Sequence, residues 1–185
     1  MRLFIAADFD NETKDKMSEI IEILKSKSKG NFTRYENLHM TLVFIGETEK
    51  AKEIKEAVQE ALEVPISKPP VLTLDHAGRF KRGNTSLIWI GGEACIFDVI
   101  QKRLAEKLIS KGLEIDRKKF VPHITLGRQV YFSKDFKSEK EIDRYLESIP
   151  VYITENIKAV SLMSSVYRDN KLVYEEIGRF QIRFE

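Results

Sequence analysis

Two short segments, His39-Met40-Thr41-Leu42 and His123-Ile124-Thr125-Leu126, repeat one pattern in the two halves of the chain. Each lies in a β-rich run, and each run is followed by a capped amphipathic helix. The first run, Leu38 to Ile45, stops at Gly46. Thr48 is then placed to cap a helix whose apolar face is Ala51, Ile54, Val58, Ala61 and Leu62. The second run, Phe120 to Val130, precedes the capping-box pair Ser138 and Glu141, with Ile142, Tyr145 and Leu146 turned inward behind it. A repeated strand-then-helix unit asks for two similar halves, each covering an apolar sheet face with helices.

The rest of the chain fits that demand. Leu3 to Phe9 reads as a buried strand, and Met17, Ile20, Ile21 and Leu24 fall on one helix face. Phe97, Ile100, Leu104 and Leu108 mark another helix, ended by Gly112. Val71 to Asp75 and Ser86 to Ile90 read as strands around the turn Lys81-Arg82-Gly83-Asn84, with Gly91-Gly92 as a closing turn. Three strands finish the chain, near Ile157 to Val166, Leu172 to Ile177 and Phe180 to Phe184, with Asp169-Asn170 as a turn. The expected class is α+β, with helices on largely antiparallel sheets, and 185 residues suit one domain or two fused lobes.

Composition narrows the function classes. A 42% hydrophobic chain can build a core, and disorder is excluded on that ground. The 31 basic and 29 acidic side chains leave +2, which excludes a general basic coat and permits a local patch. One cysteine, Cys95, excludes an internal disulfide and a multi-cysteine metal site. The apolar runs are too short for a bilayer, and the segment from Met1 to Asp8 reads as a strand rather than a signal peptide. A cytoplasmic protein with no membrane association is expected.

Chemistry centres on the repeated motif. The chain holds three histidines, and two of them have threonine two positions on. Chance gives that in under about 1% of such chains, so the pair is read as a signal. Strand side chains alternate, so His39 and Thr41 share one face and Met40 and Leu42 the other; His123, Thr125, Ile124 and Leu126 repeat this. If the two strands are neighbours across a pseudo-twofold axis, two imidazoles and two hydroxyls converge in one groove. Imidazoles titrating near about 6.5 suit a general acid and a general base on opposite sides of one centre. Hydroxyl donors suit a phosphoryl group. The alternatives at this point are structural histidines and a zinc site, but His76 and Cys95 lack ligand spacing to either motif.

Flanking residues extend the reading. Arg128 has odd parity from His123, yet Gly127 could host a bulge that turns the guanidinium inward, toward a phosphate; a surface salt bridge is the alternative. Phe44 has the wrong parity for the groove and is assigned to the core. Arg79, Lys81 and Arg82 form one basic cluster and Arg117, Lys118 and Lys119 another, either able to guide a polyanion. Phe9, Tyr35 and Phe80 are candidates for stacking on a base.

On these motifs the chain resembles the 2H phosphoesterase superfamily, and within it the RNA 2′,3′-cyclic phosphodiesterase branch, also known as 2′-5′ RNA ligase. The resemblance covers nearly the whole length: Arg2 to Ala6, Asn37 to Gly46, Gly78 to Phe80 with Leu87 to Ile90, Phe120 to Arg128, and Ser165 to Phe184 with Tyr174 and Phe180. It implies a single bilobal domain over residues 1–185, with two antiparallel-rich sheets, pseudo-twofold symmetry and a central groove. It implies cofactor-free, metal-independent opening of a terminal 2′,3′-cyclic phosphate to a 2′-phosphate. His39 then matches the proton donor, His123 the proton acceptor, and Thr41, Thr125 and Arg128 the phosphate ligands. Expected partners are RNA ends bearing the cyclic phosphate or small cyclic nucleotides, with no obligate protein partner. Ligation of RNA halves through a 2′-5′ bond, or a non-catalytic RNA-end or nucleotide-binding module, would use the same groove.

Overall fold

The computed structural model describes residues 1–185 apart from Arg117 and Lys118, and leaves the side chain of Cys95 undescribed. The basic cluster expected at Arg117 and Lys118 therefore lies outside the described residues.

Helical periodicity in the sequence becomes, among the described residues, four α-helices: α1 (Asn11–Lys25), α2 (Ala51–Glu63), α3 (Cys95–Ser110) and α4 (Glu139–Ser148). Met17, Ile20, Ile21 and Leu24 are buried on α1, whose first turn is capped by the Asp10 carboxylate accepting from the Thr13 N–H at 2.8 Å. Each such apolar side chain contributes about 1.5–3 kcal/mol by leaving water. Helix α3 ends as its sequence predicts. Gly112 turns left-handed at φ 74°, and Gly112 and Leu113 donate back to the carbonyls of Ile109 and Leu108. Ser138 caps α4, its hydroxyl accepting from Glu141 N–H, while the Glu141 carboxylate accepts from Lys137 N–H at 2.8 Å. Thr48 does not cap α2: Lys50 holds that position, and the Thr48 hydroxyl accepts from the Lys50 N–H in the turn just before the helix. None of these helices is long and apolar enough to cross a membrane among the described residues.

Among the described residues nine strands are formed: β1 (Arg2–Ala7), β2 (Ser28–Phe32), β3 (Met40–Glu47), β4 (Val71–Arg82), β5 (Thr85–Glu93), β6 (His123–Phe132), β7 (Ile153–Asn156), β8 (Ala159–Arg168) and β9 (Lys171–Gln181). The expected α+β class holds, and the two antiparallel sheets are halves of one continuous sheet, ordered β7-β4-β5-β6-β3-β1-β8-β9, with β2 added on β6. The halves meet at β6 and β3, where Met40 and Ile124 pair. The order reads as four strands on either side of that seam, which is the expected pseudo-twofold arrangement. Apolar side chains of β3 and β6, among them Met40, Leu42, Ile124 and Leu126, are buried in the core with Phe97, Ile100 and Leu104 of α3.

Three strand expectations change. Gly91-Gly92 closes no hairpin but lies inside β5, opposite His76 and Leu74, where β4 carries a bulge. A Cβ on Gly92 would lie 2.1 Å from the Thr73 carbonyl oxygen, so only glycine permits that approach. The last two expected strands are one: β9 runs unbroken through Gly178, and Phe184 makes only an isolated bridge to Ile66. Strands β2 and β7 are additions the sequence pattern does not announce.

Candidate active site

His39 stands just before β3 and His123 opens β6, so the seam carries both motifs. Burial alternates as the strand period requires: Met40, Leu42, Ile124 and Leu126 are buried, and His39, Thr41, His123 and Thr125 are half-buried on the opposite face. The antiparallel pair Met40–Ile124 sets the register. It brings Thr125 level with His39 and His123 level with Thr41, all four on one face. The structure therefore brings the two motifs together.

Each ring is anchored alike. His39 Nδ1 lies 2.7 Å from the Asn37 carbonyl oxygen, and His123 Nδ1 lies 2.7 Å from that of Val121. A carbonyl only accepts, so Nδ1 carries a proton in both rings and each Nε2 faces away from that anchor. His39 Nε2 is 3.0 Å from Thr41 Oγ, a distance at which the hydroxyl donates to the unprotonated ring nitrogen. Burial pushes the His39 imidazole below its ordinary value, the Asn37 carbonyl opposes this, and the Arg128 guanidinium adds to the lowering.

A cavity of about 320 Å³ opens over His39 and Thr41, walled by Arg2, Phe44, Arg128 and Tyr174. His123 and Thr125 stand across the seam from this lining. Behind His39, Phe4 and Tyr174 form an aromatic trio with the imidazole, with ring centres 4.9–5.0 Å apart. Beside His123, Phe80 approaches edge-on at 6.0 Å and leads on to Trp89 at 5.4 Å. His76 lies beyond Trp89 and is paired with Asp75, apart from both motifs. Among the described residues, no three His, Cys, Asp or Glu side chains are grouped closely enough to hold a metal ion.

Bulges decide which flanking residues reach the cavity. Between Thr125 and Gly127, and again between Gly127 and Val130, β6 has one residue more than β5, and Gln129 turns to φ 51°. These bulges bring Arg128 round to the cavity, the turn that Gly127 was expected to permit. The same device acts on β3, where Ala6 and Ile5 of β1 face Thr41 and Val43. That extra residue puts Phe44 on the cavity side, 42% exposed, under the Arg2 guanidinium at 5.2 Å; its assignment to the core is corrected. Phe44 and Arg128 thus occupy equivalent places, three residues after each motif threonine.

Two other expectations are corrected. Arg79 and Lys81 are no free basic patch: Arg79, its side chain 9% exposed, joins Glu139 and Asp143 at 2.7 Å, and Lys81 joins Glu139 at 3.0 Å. Phe9 is 6% exposed and belongs to the core, so it offers no stacking surface. Tyr35 is partly exposed, but its hydroxyl is donated to the Asn11 carbonyl and it lies off the cavity. Phe80, 40% exposed beside His123, is the stacking candidate that the fold keeps. Arg2 and Tyr174 line the cavity without having been expected among the site residues. The signal for Arg2 was its even spacing with Phe4 along an otherwise buried strand.

Comparison with known proteins follows the same outline. The family model of the 2′-5′ RNA ligase superfamily matches residues 13–155. The RNA 2′,3′-cyclic phosphodiesterase of Methanocaldococcus jannaschii is 31% identical over 180 residues, covering 96% of this chain and 98% of that protein. That of Thermotoga maritima is 36% identical over 138 residues, 71% of this chain and 72% of its own length. Among solved structures, TT0787 of Thermus thermophilus superposes with a TM-score of 0.76 at 20% identity, covering 100% of both chains. Escherichia coli LigT complexed with 3′-AMP superposes with a TM-score of 0.74 at 23% identity, covering 98% of this chain and 97% of that one; these two likenesses concern the fold.

Proposed function

Because this chain belongs to the 2′-5′ RNA ligase superfamily, we propose that it is an RNA 2′,3′-cyclic phosphodiesterase that leaves a 2′-phosphomonoester. The observation that carries the reading is the pair of imidazoles on one face of the seam, each with Nδ1 tied to a backbone carbonyl. That tie turns one Nε2 on each side to the shared face, His39 Nε2 beside the Thr41 hydroxyl, in position to move a proton.

In this mechanism water attacks the cyclic phosphorus. His123 Nε2 takes the water proton, the P–O3′ bond breaks, and His39 Nε2–H protonates the departing O3′. Thr41, Thr125 and Arg128 hold the non-bridging oxygens, where negative charge builds. His39 must be protonated for this, although burial favours its neutral form. An incoming phosphate anion beside the ring counters that burial effect. Phe80 offers a surface for the terminal base next to His123. A 5′ hydroxyl attacking the cyclic phosphorus in place of water, with O3′ again departing, would leave a 2′-5′ phosphodiester, so ligation would use the same residues in the same roles. RNA ends of this kind are met inside the cell, so a cytoplasmic location is part of the reading.

The test is product analysis with an RNA ending in a 2′,3′-cyclic phosphate, in buffer containing a chelator. A 2′-phosphate product, with an unchanged rate under chelation, is expected. His39→Ala and His123→Ala should each lower kcat by about 10²–10⁴-fold, the usual contribution of one acid or base. A 3′-phosphate product, or full activity in either variant, would overturn the assignment.

A further inference from the structure

A second cavity adjoins the first and is more than twice its size, about 740 Å³ against about 320 Å³. The two adjoin along shared side chains, Arg128, Tyr167, Leu172 and Tyr174. Four segments build the larger one: strand β2, the bulged part of β6, the turn between β4 and β5, and the hairpin tip between β8 and β9. Residues Arg34 and Asn37 hold that tip in place, both donating to the Leu172 carbonyl.

Its charge is one-sided. Arg34, Arg82, Arg128 and Lys171 line it, and among the described residues no aspartate or glutamate does. The chain as a whole has nearly equal numbers of acids and bases, so this local excess is set by the fold and not by composition. Arg34 is partly neutralised by Glu36 at 3.1 Å. Among the described residues, Arg82, Arg128 and Lys171 show no ion pair. Phe32 and Tyr167, the latter 76% exposed, add aromatic surface. Cations interleaved with exposed rings are what a single nucleic-acid strand requires: donors for each phosphate and flat surfaces for the bases.

Direction follows from chemistry. A 2′,3′-cyclic phosphate ends its strand, so the only chain attached to it runs toward the 5′ side. If the cyclic phosphate sits over His39, that chain must leave the first cavity, and Arg128 marks the passage into the second. We propose that the second cavity is a subsite for the penultimate nucleotide, the one joined to the 5′ side of the terminal nucleoside that carries the cyclic phosphate. Arg82 and Lys171 meet its phosphodiester, and oligoribonucleotide ends are preferred over free nucleoside 2′,3′-cyclic phosphates. The inference rests on the function proposed above and adds the class of substrate. The exposed rings carry no set of donors and acceptors that would choose one base over another, so the preference is for chain length and not for sequence.

The experiment compares kcat/KM for a hexaribonucleotide ending in a 2′,3′-cyclic phosphate with that for a nucleoside 2′,3′-cyclic phosphate. It uses the parent protein and the double variant Arg82→Ala/Lys171→Ala. Both side chains are exposed, so the variant keeps the fold, which circular dichroism checks. The parent should favour the hexamer by about tenfold or more. The variant should lose about tenfold on the hexamer while staying within about twofold on the mononucleotide. Equal use of both substrates by the parent, or an equal loss on both in the variant, would overturn the subsite. Turnover of neither substrate would instead defeat the proposed function. The subsite would then be judged by anisotropy of a labelled hexamer carrying a 3′-terminal phosphate. There the variant should flatten the slope of log affinity against log salt by about 0.7, the value for one phosphate no longer neutralised. An unchanged slope would overturn it.

Discussion

Both motif histidines turn Nδ1 back to the carbonyl two residues earlier, and this small repeat does more than the strand to aim the rings. The residues His39, Thr41, His123 and Thr125 were legible because a period of two is written directly in the order of side chains. Phe44 was not, because its face depends on a bulge that arises from pairing with β1, and nothing local to Leu42-Val43-Phe44 signals it. Arg128 was half legible: Gly127 hinted at a bulge, while its place at the cavity needed the pairing with β5. Burial of His39 carries a pH signature. Its folded imidazole titrates below the unfolded value of about 6.5. Below that pH the unfolded chain holds more protons, so this residue's contribution to stability is full above about 6.5 and is lost as pH falls through the folded value. His39→Gln removes the titration. Thermal melts at pH 7 and pH 5 should show a smaller fall in Tm for the variant than for the parent; equal falls would contradict the burial argument.

At the scale of elements, long helices were readable and short edge strands were not. Residues Met17 to Leu24 and Phe97 to Leu108 repeat an apolar face over several turns, a pattern tertiary context rarely reverses. The segment Ser28–Phe32 is largely polar and exposed, and becomes strand β2 only because the edge of β6 accepts its backbone hydrogen bonds. Strand β7 has the same dependence on β4. The close pairing of β4 with β5 gives a direct test. Gly92→Ala would press a methyl against the Thr73 carbonyl, which backbone cannot easily yield. A loss of about 1–3 kcal/mol is expected in urea unfolding, and a neutral effect would mean that the ribbon is looser than its geometry. Helix α4 is held to β4 through Arg79, whose guanidinium meets two carboxylates that are themselves half exposed. Arg79→Met should cost about 1–3 kcal/mol. Amide exchange should quicken along α4 and not along α1, which is fastened elsewhere; uniform quickening would count against a local clamp.

For the whole molecule, the repeated motif announced two halves but not how the chain divides between them. Strand β4 follows α2, yet it crosses to pair with β5 in the half built around His123. Strands β8 and β9 come last, yet they complete the half built around His39 by pairing with β1. Which distant edge a strand joins is settled by non-local hydrogen bonding, and no local pattern records it. The half built around His39 is therefore interrupted in sequence by the other, whose strands β4 to β7 are consecutive and which only β2 joins from outside, while the seam itself is a single residue pair, Met40–Ile124. A sheet of two contiguous repeats joined at so thin a seam could come apart in two steps. Crossing strands oppose this, since β2, from the first part of the chain, pairs with β6, and β8, which follows the His123 half, pairs with β1. We therefore expect one calorimetric transition with equal calorimetric and van't Hoff enthalpies. Leu162→Ala in β8 and Leu126→Ala in β6 remove fully buried side chains from opposite halves. Each should lower the same transition by about 2–5 kcal/mol. Two separable transitions, each moved by only one of the substitutions, would show that the halves are independent and that the crossing strands do not couple them.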